Sequence, residues 1–461
     1  MVWKLTLRLL LVTFLAMTLA GTLPATAQTR TAIEYYYPAW NAYFVTSFPD
    51  EAQLLDSGAL GGVWKRTGKT FEVWTDATAA GMPVNPTCRF FSTAFAPYSS
   101  HFYSPITDEC AIVKANPDWQ FEAEAFFLGL PDMAGDCPNG SFPLYRLYNN
   151  GQGGFPSHRY TDDHSVLDQM LAAGWTAEGN EVTSVFACVP AKVLSIVVVP
   201  LLYQSAPSSS VEAIQAYDAT VPKITQKALQ ATFVPIAAWW EKVTYGRQQW
   251  KVNVLSEVPI PGNPACSWGQ FHRDAAAAAT KAGATYDVLV AVAPYSCWSS
   301  KASTGGNTVV VWNTISDGQG MLAHEIGHAL GLGHNASMMP TYAEYGSGVD
   351  QMGAGSDFYT LRSLAADHRN RLGVLTPLPC ASAKLRSIFD YPDAIQCGSW
   401  FIDYIHDFRD EVWVHKRESK FSAFGGSDTT DYAYLQVGQS YKIADGPTIK
   451  YNGGGAVSVT P

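Results

Sequence analysis

Residues 324–334 read HEIGHALGLGH, and the rest of the chain is interpreted outward from this stretch. On a helix, positions four apart project from one face, so the imidazoles of His324 and His328 would point at one shared position. A third histidine ten residues after the first would lie about 15 Å further along the same helix. The chain must therefore turn, and Gly331 tolerates positive φ and can end a helix. The spacing predicts a helix, a glycine turn and the return of His334 to the same position.

Three histidines in this arrangement predict a metal site that keeps one coordination position open. Imidazole nitrogen suits zinc, and three such ligands leave the fourth tetrahedral position for water. Zinc lowers the pKa of that water towards ~7, so the neighbouring carboxylate of Glu325 can take its proton as the water attacks a peptide carbonyl. A helix that only exposes its histidines to solvent requires neither the third histidine nor the glycine. We therefore predict one catalytic zinc ion held by His324, His328 and His334, with Glu325 as the general base.

The pattern resembles that of the metzincin zinc peptidases at all five of their defining positions. Within that group the chain resembles the gametolysin family over roughly residues 192–375. This resemblance rests on YDVLV at 286–290, the stretch 324–335, EYG at 344–346 and MG at 352–353. It implies an extracellular endopeptidase that acts on proteins, with a methionine turn beneath the metal.

Three methionines are candidates for that turn. Met352 lies 18 residues after His334 in a glycine-containing segment, whereas Met338 and Met339 follow that histidine by four and five residues. The shorter separations leave little chain for a loop beneath the metal, so Met352 is preferred. No tyrosine follows Met352 at the short spacing that some metzincins use for a further ligand, so none is assigned. No cysteine-switch prosegment is recognised, which leaves the mechanism of latency open.

The regions around this site differ in the pattern of helical and strand-like stretches that their sequences predict. Residues 191–375 alternate strand-like and helical stretches, with one helix over 271–283 and other helices broken near Pro222 and Pro235, which predicts an α/β sheet domain. Short strands separated by Gly, Asp and Pro predict a small β-rich domain over 376–461.

The segment before the active-site helix, GGNTVVVW at 305–312, reads as a strand after a glycine turn. In metzincins the corresponding edge strand pairs with an extended substrate. An interior strand fits the sequence nearly as well, so both positions stay open.

Three segments of similar composition near the N-terminus indicate an internal repeat. Each opens on an aromatic-rich strand, continues into an acidic stretch and reaches a tryptophan, and the starts are 59 and 57 residues apart. The segments start at Ala42, His101 and His158, their tryptophans are Trp64, Trp119 and Trp175, and the apolar residues seven positions later are Phe71, Phe126 and Val182. Through stretches such as WKRTG at 64–68 and YRLYNN at 145–150, residues 33–190 resemble secreted bacterial repeat modules of unassigned function that are often described as lectin-like. The aromatics either pack in a core or stack on a glycan.

The first 27 residues have the features of a secretory signal. Lys4 and Arg8 precede an apolar stretch at 9–20, and the small residues at 25–27 fit a cleavage site. That stretch is short against the ~20 residues of a spanning helix, which disfavours a membrane anchor. Cleavage removes two of the 30 basic residues and none of the 40 acidic ones, which leaves a net charge of −12. This balance argues against nucleic acid or an anionic membrane as partner.

Eight cysteines behind a signal sequence predict four disulfides. No Cys-x-x-Cys pair is present, which argues against a cysteine zinc site or thioredoxin-like chemistry. Sequence does not determine connectivity, and we expect neighbours within each region to pair. The predicted pairs are Cys88–Cys110, Cys137–Cys188, Cys266–Cys297 and Cys380–Cys397.

Together these features predict an α+β multidomain protein: a three-repeat α/β module, a metzincin-type α/β catalytic domain and a small β-rich C-terminal domain. We expect a secreted zinc metalloendopeptidase that cleaves extracellular proteins or cell-wall glycoproteins, with a module that binds an extracellular glycan. Two alternatives stay open, a zinc amidase acting on cell-wall peptides and a catalytically idle glycan-binding protein with structural zinc. The sequence assigns no calcium site, cleavage preference or oligomeric state.

Overall fold

The computed structural model describes residues 29–78, 80–138, 140–203, 225–260, 268–293, 301–302, 306–312, 318–337, 350–353, 362–389, 392–406, 410–421 and 427–461. Within these ranges the chain has a mixed α+β structure with seven helices and five sheets. The predicted signal sequence lies outside the described residues, as do Cys266, Cys297, Met338, Met339 and the segment 344–346. None of the described helices has the length and hydropathy needed to cross a membrane.

The N-terminal region, residues 29–190, contains ten strands and three short helices. In chain order they are β1 (Thr29–Tyr37), β2 (Ala42–Thr46), α1 (Pro49–Asp56), β3 (Lys65–Trp74), β4 (Asn85–Ser92), β5 (Ser100–Ser104), α2 (Thr107–Lys114), β6 (Gln120–Leu128), β7 (Ser141–Tyr148), β8 (His158–Thr161), α3 (His164–Ala172), β9 (Thr176–Ala177) and β10 (Ala187–Pro190). They form a six-stranded sheet in the order β2-β1-β3-β6-β4-β5 and a smaller sheet in which β7 pairs with β10, β8 and β9.

Three hairpins in this region, β1–β2, β4–β5 and β7–β8, have corresponding registers, and a helix follows each. Arg89 and Arg146 occupy equivalent positions in the second and third hairpins, and Glu34 takes that position in the first. The third segment departs from the second at Val182, which is exposed, whereas Phe126 is buried.

Most of the repeated aromatic side chains lie in the cores of the N-terminal region. Tyr103, Tyr160 and Trp175 are buried, while Trp64 and Trp119 pack against buried clusters from partly exposed positions. Core packing, one of the two interpretations of the repeat, therefore accounts for the recurrence of these rings.

The central region is built on one mostly parallel sheet with helices on both faces. Its elements are β11 (Lys192–Tyr203), α4 (Gln226–Val243), β12 (Gln248–Val254), β13 (Val258–Ile260), α5 (Trp268–Lys281), β14 (Val288–Ala293), β15 (Lys301–Ala302), β16 (Thr308–Trp312) and α6 (Gly318–Ala329). The strand order is β12-β11-β14-β16-β15, and β13 also pairs with β11. Helices α4 and α6 cover one face and α5 the other, which explains why every residue of β14 is buried and apolar.

The strand before α6 is interior among the described strands. β16 pairs in parallel with β14 on one side and antiparallel with β15 on the other. Of the two positions that the sequence left open, the structure therefore has the interior one, with the two-residue β15 outside it.

A proline inside α4 does not break the helix, contrary to the prediction from sequence. Pro235 lies within the continuous helix, and Phe233 and Trp240 on either side of it are fully buried. Packing of these rings offsets the loss of one N–H donor that proline imposes on a helix. Pro222, the other predicted break, lies outside the described residues.

The C-terminal region forms two sheets, and one of them includes a strand from the central region. The elements are β17 (Asn335–Ser337), α7 (Ala366–Arg371), β18 (Thr376–Leu378), β19 (Ala383–Lys384), β20 (Asp393–Cys397), β21 (Trp400–Ile405), β22 (Glu411–Phe421), β23 (Ser427–Leu435), β24 (Ser440–Lys442), β25 (Thr448–Gly453) and β26 (Ala456–Thr460). The sheets have the orders β17-β23-β22-β21-β20-β18 and β19-β26-β25-β24. The strand β17, which directly follows the third predicted ligand, is therefore an edge strand of a C-terminal sheet.

Three disulfides confirm three of the four predicted pairings, and the fourth pairing falls outside the described residues. They are Cys88–Cys110, Cys137–Cys188 and Cys380–Cys397. Each joins two residues of the same region, which is the arrangement expected from the order of the cysteines along the chain.

Candidate metal centre

Helix α6 carries the first two predicted ligands and ends at the predicted glycine turn. Leu322 and Ile326, on its inner side, are buried in the core against the sheet. Beyond the helix, the N–H of Leu332 donates to the carbonyl of Gly327, and Gly331 adopts a φ of 91°. A positive φ is the left-handed conformation in which glycine commonly ends a helix. The chain therefore turns where the sequence predicts.

The turn brings the three predicted ligands together. One ring nitrogen from each of His324, His328 and His334 lies within 4.8 Å of the others. The Nε2 atoms of His328 and His334 are 3.0 Å apart, and nitrogen ligands of a tetrahedral zinc ion lie about 3.3 Å apart. The three side chains are nearly enclosed by protein. The arrangement is thus a compact cluster of imidazoles on a rigid helix and the loop that follows it.

Backbone carbonyls set the tautomers of the two helical histidines. Nδ1 of His324 lies 3.1 Å from the carbonyl oxygen of Gln351, and Nδ1 of His328 lies 2.8 Å from that of Leu332. A carbonyl oxygen can only accept, so Nδ1 carries the proton in both rings. In a neutral imidazole the lone pair is then on Nε2, which is the nitrogen that can bind a metal.

Burial keeps these imidazoles in the neutral form that binds metals. Burial, together with nearby His328, lowers the pKa of His324 to about 3, and burial lowers the pKa of His334 to about 3 as well. The pKa of His328 is also below its ordinary value because the ring is buried. Metal binding near neutral pH therefore requires no deprotonation of these rings.

Met352 is buried against α6. A Cβ atom added at Gly327 would lie only 2.4 Å from the sulfur of Met352, so a glycine gives this methionine its close approach. The preceding residue, Gln351, accepts from His324 through its carbonyl and donates its side-chain amide to the carbonyl of Gly320 at 2.8 Å. Met352 thus packs against the helix that carries the first two predicted ligands, and its assignment to a methionine turn stays a prediction.

Glu325 is the acidic residue that α6 brings beside the ligands. It directly follows His324 and is 7% exposed. A largely buried carboxylate beside metal ligands can act as a general base towards water at the fourth position.

A buried pair next to the site, Asp350 and His368, was not predicted from the sequence. Their carboxylate and imidazole lie 2.7 Å apart, and both side chains are fully buried. Asp350 also accepts from the side-chain amide of Asn335, the residue after the third ligand, at 3.0 Å. The position of Asp350 two residues before Met352 was the one available signal, and no motif marks His368.

In comparison with known proteins, a family model matches part of the chain, within the N-terminal region. Residues 31–185 match a domain of unknown function, DUF5648. No curated protein matches the chain.

Solved structures similar to the chain share little sequence with it. Wild-type OgpA from Akkermansia muciniphila has 11% identity over 53% of this chain and 80% of its own, with a TM-score of 0.28. A second crystal form of OgpA gives 13% identity over 53% and 82%, again with a TM-score of 0.28. A chaperone–substrate complex has 12% identity over 43% of this chain and only 38% of its own, with a TM-score of 0.27. Likenesses with such low identities and TM-scores do not indicate a shared function.

Proposed function

We propose that this protein is a zinc-dependent endopeptidase in which His324, His328 and His334 hold one zinc ion and Glu325 is the general base. The observation that carries the proposal is the convergence of three neutral imidazoles within 4.8 Å of one another. The donor set fits zinc because two of the rings are held by carbonyls in the tautomer that leaves Nε2 available. Three protein ligands, rather than four, are typical of catalytic zinc sites.

The residues of the chain divide the chemistry between them. Bound zinc supplies a Lewis acid that polarises a carbonyl and makes water acidic enough to lose a proton near neutral pH. Glu325 takes the proton of the attacking water as its oxygen bonds to the peptide carbon. The same carboxyl group returns the proton to the leaving nitrogen as the C–N bond breaks, so Glu325 ends the reaction as it began. The position of Met352 under the helix supports the metzincin-type architecture that the sequence pattern implies.

Two other functions remain as alternatives to be tested. A catalytically idle protein with structural zinc is disfavoured because Glu325 is retained beside a three-ligand cluster. A zinc amidase acting on cell-wall peptides would use the same residues, since the site specifies attack on an amide and not the groups around it. Substrate identity therefore has to come from cleavage products.

The proposed enzyme acts outside the cell. The three disulfides support this location because such bonds persist in oxidising compartments. Binding of an extracellular glycan by the N-terminal region stays a prediction from sequence. Its repeated aromatics are accounted for by packing, so the function of the module rests on direct binding measurements.

Glu325→Gln tests the proposed mechanism. The substitution removes the base and keeps all three ligands, so we expect zinc content and folding near those of wild type. Cleavage of a proteome-derived peptide library should fall by at least ~10²–10⁴-fold, the usual contribution of a general base. Zinc content would be measured by elemental analysis and cleavage by mass spectrometry.

Glu257→Gln is the matched control, because this glutamate is exposed in the same region of the chain. It should cleave as wild type does. Retention of cleavage within tenfold by Glu325→Gln would refute the assignment of the base. Cut sites in the library would also separate an endopeptidase from an amidase confined to cell-wall peptides.

A further inference from the structure

The third predicted ligand is held differently from the first two. His324 and His328 lie on a buried helix, whereas His334 lies beyond the glycine turn and directly precedes β17. That strand pairs in parallel with β23, so that Asn335 lies opposite Thr429. The N–H of Thr429 also donates to the carbonyl of His334 at 3.2 Å. The backbone of the third ligand is thus attached to the edge of a C-terminal sheet.

The carboxylate of Asp350 forms a second attachment. Its Oδ2 accepts from the side-chain amide of Asn335 at 3.0 Å, the backbone N–H of Ala365 at 3.0 Å and Nδ1 of His368 at 2.7 Å. Its Oδ1 accepts from the N–H of Met352 at 2.8 Å. One buried side chain therefore joins the residue after the third ligand to the methionine turn and to α7.

Helix α7 is itself fastened to the C-terminal sheet by charged residues. Asp367 accepts from the hydroxyl of Thr429 at 2.7 Å and also contacts the guanidinium of Arg417. Arg369 pairs with Asp403 on β21, and both side chains are fully buried. The contacts of β17, Asp350 and α7 therefore all lead to the same sheet.

We propose that the C-terminal β-domain is part of the metal centre, with β23 and Asp350 acting together to position His334. This inference rests on the proposed zinc site. Helix α6 alone orients two ligands, but no helix extends to His334, so its orientation depends on the strand that follows it and on the sheet that binds this strand. Asp350 is a positioning residue, since it reaches the ligand through Asn335 and the methionine turn. Outer residues of this kind typically change metal affinity by 10–100-fold.

Asn335→Ala tests the contribution of Asp350 in the full chain. The substitution removes the amide that links Asp350 to the third ligand and leaves the other donors to this carboxylate in place. We expect zinc affinity, measured by competition with a chromogenic chelator, to fall about 10–100-fold. The visible spectrum of the cobalt-loaded protein should change as well, because it reports the geometry of the ligands.

Asn149→Ala is the matched control. Asn149 is a buried asparagine of the N-terminal region, with side-chain hydrogen bonds of its own to a loop. Its loss should lower thermal stability without changing zinc affinity or the cobalt spectrum. A merely structural role for Asn335 would give the same result, so the two variants separate positioning from folding.

Hydrogen exchange in the wild-type chain tests the contribution of the sheet and needs no substitution. If β23 positions a ligand, zinc must stabilise β23 in return, because coupling between two sites is reciprocal. We expect zinc to slow amide exchange in Ser427–Leu435, including Thr429, and to leave Thr448–Gly453 in the other C-terminal sheet unchanged.

Two results would overturn the inference while the proposed function stands. They are wild-type protein that binds zinc without slower exchange in Ser427–Leu435, and an Asn335→Ala variant that stays within twofold of wild-type affinity with an unchanged cobalt spectrum. A wild-type chain with no zinc affinity would overturn the proposed function, and the inference with it.

Discussion

The N-terminal region and the candidate metal centre both bury polar side chains, but the partners of these side chains differ in kind. In the N-terminal region, Arg159 makes two hydrogen bonds of 2.8 and 2.9 Å to Glu34, so each charge has its partner in the chain. In the candidate metal centre, the Nδ1 atoms of His324 and His328 contact backbone carbonyls, and one ring nitrogen of each of these histidines and of His334 lies within 4.8 Å of the others. The first arrangement pairs opposite charges within the fold, whereas the second groups three imidazoles that could together hold a cation.

The ion pairs of the N-terminal region have a further regularity. The three hairpins with the helices that follow them, β1–β2–α1, β4–β5–α2 and β7–β8–α3, form three structural segments, and each is joined to another by an arginine and a glutamate. The pairs are Glu51–Arg89, Glu109–Arg146 and Glu34–Arg159. The last one joins the third segment back to the first, so the three segments form a closed ring of contacts. The arginine–glutamate pairs therefore connect parts of the fold, whereas the three histidines are candidates for a metal site.

The largest effect is expected from His328→Ala. Losing one of three ligands should cost about a third of a zinc-binding free energy of ~12 kcal/mol, which is roughly a thousandfold in affinity. Without metal, the variant should lose no more than about 2 kcal/mol of unfolding free energy. Chelator competition and denaturation of the metal-free protein would measure the two quantities. His406→Ala, at an exposed position, is the control. Full zinc occupancy of the His328→Ala variant would contradict the assignment of His328 as a ligand.

Arg159→Met should have the opposite pattern of effects, with a large loss of unfolding free energy and no loss of zinc affinity. It leaves Glu34, which is 1% exposed, as an unpaired buried charge, and such losses typically cost 3–5 kcal/mol of unfolding free energy. Zinc affinity should not change. Adding Glu34→Gln to the variant should recover much of the loss, since the buried charge is then removed. Denaturant unfolding followed in the N-terminal region would test this.

The exposed pair of Arg66 and Asp56 supplies the control for that prediction. Their side chains are 47% and 40% exposed, so Arg66→Met should change stability far less than Arg159→Met. Equal effects of the two substitutions would contradict the role given to the buried pair.

The smallest effect concerns His415, a fully buried histidine on β22. Burial lowers its pKa to about 4, against about 6.5 in the unfolded chain. The unfolded chain therefore binds a proton that the folded chain does not. The contribution of His415 to stability is full above pH ~6.5 and falls as the pH drops towards 4, by at most ~1.4 kcal/mol per pH unit.

His415→Gln should accordingly flatten the decline in stability of the metal-free protein between pH 7 and 4. Asp162 has a pKa raised by burial to about 6 and contributes the opposite slope, but it is present in both proteins and cancels in the comparison. Denaturant unfolding at several pH values would measure the slopes. Identical slopes for the variant and wild type would show that His415 does not titrate as predicted.

The candidate metal centre was largely predictable from sequence because its ligands are close along the chain. A four-residue spacing sets the relative direction of two helical side chains, and Gly331 permits the turn before His334. The three disulfides followed from the order of the cysteines. Pro235 was misinterpreted because a local rule for helix breaking was applied where buried aromatic rings stabilise the helix.

What the sequence determined by itself was local: the helix bearing His324 and His328, the adjacent Glu325 and the glycine turn, each set by backbone geometry over a few residues. Only the tertiary structure showed that the strand after His334 joins a C-terminal sheet and that Asp350 contacts His368. Those contacts link residues that are separated in the chain, and no periodicity or spacing in the sequence predicts them. They form because buried donors and acceptors must find partners wherever packing brings them together.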